Sequence, residues 1–125
     1  MMNIEELNWS SWKPLPNPLQ SNQRFSLLIM QHVRNPLKPG LYQLKNKKTN
    51  EYVLFGIGKE IGKRMKSLIP KEHGGVGRRD NYIKREYVWE NIDSIKFRSI
   101  TTNTREEALN IERYVKSLNI HIFNT

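Results

Sequence analysis

The chain has 125 residues, with 21 Lys plus Arg against 12 Asp plus Glu, a formal net charge of +9 at pH 7 and no cysteine. A chain of this length has room for one domain with a single core. The lack of cysteine excludes a disulfide scaffold, a thiolate zinc or iron–sulfur centre and a Cys nucleophile. The longest nearly apolar run, Phe25–Met30, is far shorter than the ~20 residues of a membrane span. Met1-Met2-Asn3-Ile4-Glu5-Glu6 lacks the basic and apolar regions of a secretory signal. The expectation is a small, soluble, cytoplasmic domain with no membrane partner.

Residues 1–38 read as an N-terminal extension packing on the core. Trp9, Trp12, Pro14, Pro16 and Pro18 form a proline-spaced strap that cannot continue a helix. Phe25, Leu28, Ile29 and Val33 then follow helical spacing, and Pro36 and Pro39 end the helix. Gly40–Leu44 and Tyr52–Phe55 are short strand-like runs around Asn46-Lys47-Lys48-Thr49-Asn50, which predicts a hairpin. Alternation places Tyr42 with Leu44 on one face of the first strand, and Tyr52 with Leu54 on one face of the second.

The chain turns at Gly56-Ile57-Gly58 into a predicted helix from about Lys59 to Leu68, ended by Pro70. Ile61, Met65 and Leu68 form its apolar stripe. Lys63 and Lys66 fall opposite the stripe and Arg64 at its edge, held against the body. A Gly-rich connection, His73 to Arg79, precedes a helix over about Asn81 to Asn91. Ser94–Ile100 alternates as a third strand. Thr104-Arg105-Glu106-Glu107 is a capping box opening a last helix to about Leu118, with Ala108, Ile111, Val115 and Leu118 buried. Three strands and the helices that must cover them predict a small α+β sandwich.

The charge is concentrated. From Lys45 to Arg85 twelve basic residues face four acidic ones, which is nearly all of the excess. Two readings stand: a solvated lysine surface, or a polyphosphate-binding face that gains affinity by counterion release. In the second, Lys59, Lys63, Arg78, Arg79, Lys84 and Arg85 contact nucleic acid, and the glycines of 73–79 let backbone approach phosphate without reading bases. Gly56-x-Gly58-x-x-x-Gly62 lacks the βαβ context of a dinucleotide fingerprint, and Ile57 stands where a P-loop needs glycine. His32, His73 and His121 show no metal-ligand spacing.

Three polar residues stand where a fold would present them to phosphate. Tyr42 lies on a strand near a glycine, and Arg64 borders a buried helix face. Glu112 sits mid-helix at an angle between those of Ala108 and Leu109, bordering buried surface, where it has none of the capping work of Glu106 and Glu107. In order and spacing, Gly40-Leu41-Tyr42, Gly56 with Arg64, Glu112 within Ala108–Arg113, and Asn124 resemble the GIY-YIG endonuclease family over about residues 39–125.

The resemblance implies a three-stranded antiparallel sheet between helices and a Mg²⁺- or Mn²⁺-dependent endonuclease acting on double-stranded DNA. By it, Tyr42 orients or deprotonates the attacking water, Arg64 holds the scissile phosphate, Glu112 binds the cation and Asn124 ties the chain end to the site. A lone carboxylate suits a hard cation that takes further ligands from substrate phosphate. The second motif departs from the family: Leu54-Phe55-Gly56 carries leucine in the tyrosine position. Tyr52 is the candidate substitute, and Lys59 a nearby charge. A non-catalytic nucleic-acid-binding module on the same fold is the alternative. Thr125 closely follows the presumed core, so the expectation is that selectivity comes from residues 1–38, the basic loop, a homodimer or a partner protein.

Overall fold

The computed structural model describes residues 3–76 and 82–124. Arg78 and Arg79, and with them part of the Gly-rich connection, lie outside these residues. The fold is α+β, with an antiparallel sheet in the order β1–β4–β2–β3. Its strands are β1 (Lys13–Pro14), β2 (Gly40–Asn46), β3 (Glu51–Gly58) and β4 (Ile95–Thr101). The α-helices are α1 (Phe25–His32), α2 (Ile61–Met65), α3 (Tyr82–Glu90) and α4 (Arg105–Leu118).

The expected three-stranded sheet is corrected to four strands. The strap itself supplies the fourth, pairing Lys13 with Phe97 and Pro14 with Lys96 at the open edge of β4. Proline lacks an N–H, yet an edge strand needs hydrogen bonds on one side only, so Pro14 is tolerated there. The next residue resumes donation, Leu15 N–H to Ile95 O at 3.0 Å.

The β2–β3 turn is built by Asn46. Its Oδ1 accepts from the N–H groups of Lys48 (3.0 Å) and Thr49 (3.3 Å). Asn50 closes the turn at φ 63°, in the left-handed region that asparagine tolerates. Just inside the turn the register slips: Leu44 pairs with Leu54, but Lys45 pairs with Tyr52. The unpaired Val53 is a β-bulge. Val53 and Leu54 both enter the core that contains Tyr42 and Leu44, while Tyr52 packs in the core of the opposite face. Strict alternation, which placed Tyr52 beside Leu54, fails at that bulge.

Each face of the sheet has its own core. On one side Tyr42, Leu44 and Phe97 pack with Phe25 and Ile29 of α1, Ile61 and Met65 of α2, and Val88 of α3. On the other, Leu41 and Phe55 pack with Val115 of α4 and Ile4, joined by the half-buried Trp9 and Ile111. The predicted cap of α4 is present, with Thr104 Oγ1 accepting from Glu107 N–H at 3.2 Å. Among the described residues no helix is long and apolar enough to cross a membrane.

Candidate active site

Strand β3 is the sheet edge opposite β1, with α2 following it and α4 packed on its other side. Around that edge lies a cavity of about 300 Å³. Tyr42, Arg64 and Glu112, remote in sequence and carried on a strand and two helices, all line it.

Tyr42 pairs across the ladder with Gly56. The phenol lies directly over that glycine: a Cβ there would meet Tyr42 Cζ at 2.6 Å and Cε1 at 2.7 Å, and would also strike the hydroxyl. The ring is only 2% exposed. Burial pushes the phenol's pKa above the usual tyrosine value; nearby Arg64 lowers it and Glu112 raises it. Tyr42 is therefore a protonated hydrogen-bonding group at neutral pH rather than a ready base.

Arg64 begins where Gly58 leaves room, since a Cβ on Gly58 would lie 2.8 Å from Arg64 Cβ. Its guanidinium carbon is 6.0 Å from the Tyr42 ring centroid. Arg64 Nη1 donates to Ser67 Oγ at 2.6 Å, and Ser67 Oγ donates to the Arg64 carbonyl at 2.9 Å. The helix thus folds back to fix its own arginine, whose guanidinium has no other hydrogen-bond or ion-pair partner among the described residues. Glu112 lies on the α4 face that also carries Arg105 and Leu109 into the cavity, at the i, i+4, i+7 spacing of one helix stripe. Among the described residues Glu112 has no ion-pair partner.

The structure adds residues that the sequence reading missed or misplaced. Arg105 and Ser67 were given no role, and Arg85 was grouped by charge with the nucleic-acid contacts of the basic stretch. Arg85 is instead 7% exposed and lines the cavity, with Nη1 buried and without a hydrogen-bond partner among the described residues. A buried donor left unpaired costs about 1–3 kcal/mol, and more when it is charged. The signal was present in the sequence: Val88, buried on the same helix, is three residues on, so Arg85 falls on the apolar stripe. Lys84 also lines the cavity. Among the described lining residues four cations therefore face one carboxylate, an environment complementary to phosphate.

The remaining candidates among the described residues do not join this cavity. Tyr52 lies on the opposite face, where its hydroxyl donates to Glu5, and its pKa is pushed up to about 12 mainly by burial. Asn124 donates from Nδ2 to Lys116 O at 2.9 Å, with Oδ1 buried without a partner among the described residues. Lys59 is exposed, and Lys63 pairs with Glu60 at 2.7 Å. Tyr52 and Asn124 flank a second polar network, in which Arg98 holds Glu5 (2.7 Å) and donates to Gln43 Oε1 (2.8 Å). Gln43 in turn lies 2.9 Å from His121 Nε2. Trp9 and Trp12 each lie 4.3 Å from the Arg98 guanidinium, so the strap tryptophans clamp a buried cation. Leu54 stands at the cavity wall.

The described residues contain no group of three or more His, Cys, Asp or Glu arranged to hold a metal ion. The donor set at the cavity is one hard carboxylate, Glu112, beside phosphate-complementary cations. That set fits a divalent ion that keeps most of its waters and draws further oxygen ligands from a bound phosphate, as Mg²⁺ does. It does not fit a closed cage such as a structural zinc site. No family model, curated protein or solved structure matches the chain.

Proposed function

We propose that the protein is a metal-dependent endonuclease that hydrolyses phosphodiester bonds of double-stranded DNA at the β3-edge cavity. The observation that carries this reading is the convergence of Tyr42, Arg64 and Glu112 on one cavity. In it, Arg64, braced by Ser67, pairs with the non-bridging oxygens of the scissile phosphate and stabilises the charge that grows there in the transition state. The buried, protonated Tyr42 hydroxyl orients the attacking water by hydrogen bonding. Glu112 holds Mg²⁺ or Mn²⁺, which when bound supplies Lewis-acid polarisation of the phosphate. The likeness of these residues to the GIY-YIG pattern supports the same assignment.

One observation favours a second reading, a nucleic-acid-binding module without catalysis. The second-motif position is the apolar Leu54, and the bulge at Val53 sends Tyr52 to the other face, so no second phenol enters the cavity.

Supercoiled plasmid incubated with Mg²⁺ distinguishes the two. The nuclease reading predicts metal-dependent nicking by the wild type that falls about 10²-fold or more in Glu112→Gln. Nicking that survives Glu112→Gln refutes the site. Binding with no nicking in Mg²⁺ or Mn²⁺ establishes the second reading.

A further inference from the structure

Arg85 is not accounted for by packing. Helix α3 turns this arginine into the protein, 7% exposed, while Tyr82 and Ile83 of its first turn stand 62% and 71% exposed. A helix placed by hydrophobic burial alone would favour the reverse, because Ile gains and Arg loses on leaving water. The buried Nη1 has no hydrogen-bond partner among the described residues. Arg85 reaches the cavity from α3, Arg64 from α2 and Arg105 from the first turn of α4. Among the described residues that line the cavity Glu112 is the sole carboxylate, and the reading above already commits it to a cation.

We propose that Arg85, together with Arg105, forms a second phosphate subsite in the cavity, which takes a phosphate adjoining the one held by Arg64. This rests on the phosphodiester reading of the cavity, but it concerns binding and needs neither metal nor turnover. A guanidinium presents several donors in a planar fork; Nη1 is sealed from solvent and has no partner among the described residues, and a phosphate oxygen admitted to the cavity that Arg85 lines would supply one. The ligand chemistry is a phosphate oxyanion. Its two sources are an internal diester of the strand and a terminal monoester at a strand end.

The test is binding without divalent cation, at fixed salt, of two duplex oligonucleotides of one sequence, one carrying terminal phosphates and one without. Arg85→Met keeps the length and the buried stem, Arg85→Lys keeps the charge, and Arg105→Gln alters an exposed side chain. Arg85→Met and Arg105→Gln are expected to weaken binding at least about tenfold, the scale of a lost charged hydrogen bond. Arg85→Lys should recover part of that loss. Equal losses on both oligonucleotides assign the subsite to an internal diester. A loss confined to the phosphorylated one assigns it to a terminal monoester. Thermal unfolding in inorganic phosphate gives an independent reading: the wild-type Tm should rise with phosphate and that of Arg85→Met should not, while the Arg85→Met baseline should not fall, because an unpaired buried charge has been removed.

Unchanged affinity for both oligonucleotides in Arg85→Met and Arg105→Gln overturns the proposal. So does a lowered baseline Tm in Arg85→Met with the wild-type response to phosphate. Failure of plasmid nicking alone leaves these binding outcomes intact, so the two proposals fail separately.

Discussion

Gly56→Ala is the most informative single perturbation of the candidate site. The added Cβ would lie 2.6 Å from Tyr42 Cζ and 2.7 Å from Cε1, well inside van der Waals contact, and the hydroxyl would be closer still. The ring is nearly sealed, so it cannot swing into solvent without opening the core. Overpacking of this kind costs about 1–3 kcal/mol. With an unfolding entropy of about 2.1 cal/mol/K per residue over this chain, that becomes a fall in Tm of roughly 4–11 °C. Because the hydroxyl is the nearest obstacle, Tyr42→Phe should relieve part of the strain. The double variant is then expected to be more stable than the sum of the single changes allows, with a coupling of about 1 kcal/mol. Urea unfolding of the four proteins measures it. A Gly56→Ala variant as stable as the wild type, with no coupling to Tyr42→Phe, would refute the claim that this glycine exists to seat the phenol.

Tyr52→Phe should leave phosphate binding and any plasmid nicking within about twofold of wild type, because the phenol lies on the far face against Glu5. Tyr42→Phe should lose about 10²-fold or more of the nicking; equal effects of the two changes would contradict the assignment. The second polar network predicts a pH dependence of stability. Burial pushes the His121 imidazole down to about 4, from 6.5 for a free histidine, so the unfolded chain binds the proton first. That stabilisation is fully present above about pH 6.5 and falls away as pH drops towards 4, by up to about 3 kcal/mol. Glu5 acts lower: the Arg98 hydrogen bond holds its carboxyl below the usual range, so its contribution is lost as pH falls through that lowered value. Chemical unfolding of the wild type and His121→Gln between pH 4 and 7 should show a steeper slope in the wild type; parallel curves would rule out the buried neutral imidazole.

Long, strongly periodic elements were legible in the sequence, and so were residues on their stripes. Thr104 was read as the cap of the last helix and caps it. Arg64 was placed at the border of a buried face, and it is half-buried there. Two features escaped because each depends on a tertiary partner. Pro14 argues locally against a strand, and only the free edge of β4 makes it one. Nothing local marks Val53 as a bulge; the slip follows from matching Leu44 to Leu54 while Asn46 closes the turn, and it reverses the face of Tyr52. Arg85 was grouped with its basic neighbours by charge, although its spacing from Val88 placed it on the buried stripe. Arg105 shares the face of Glu112 two helical turns away, so the wheel that singled out one should have found the other.

The central claim is that one phosphate is gripped between Arg64 and a cation on Glu112. Crystals of the full chain soaked with Mn²⁺ and a short DNA duplex test it by anomalous scattering. The account predicts an ion about 2.1 Å from a Glu112 carboxylate oxygen, sharing a phosphate whose other oxygens contact Arg64. Mn²⁺ bound elsewhere, or a duplex seated on the face of Tyr52 and Arg98, would contradict it.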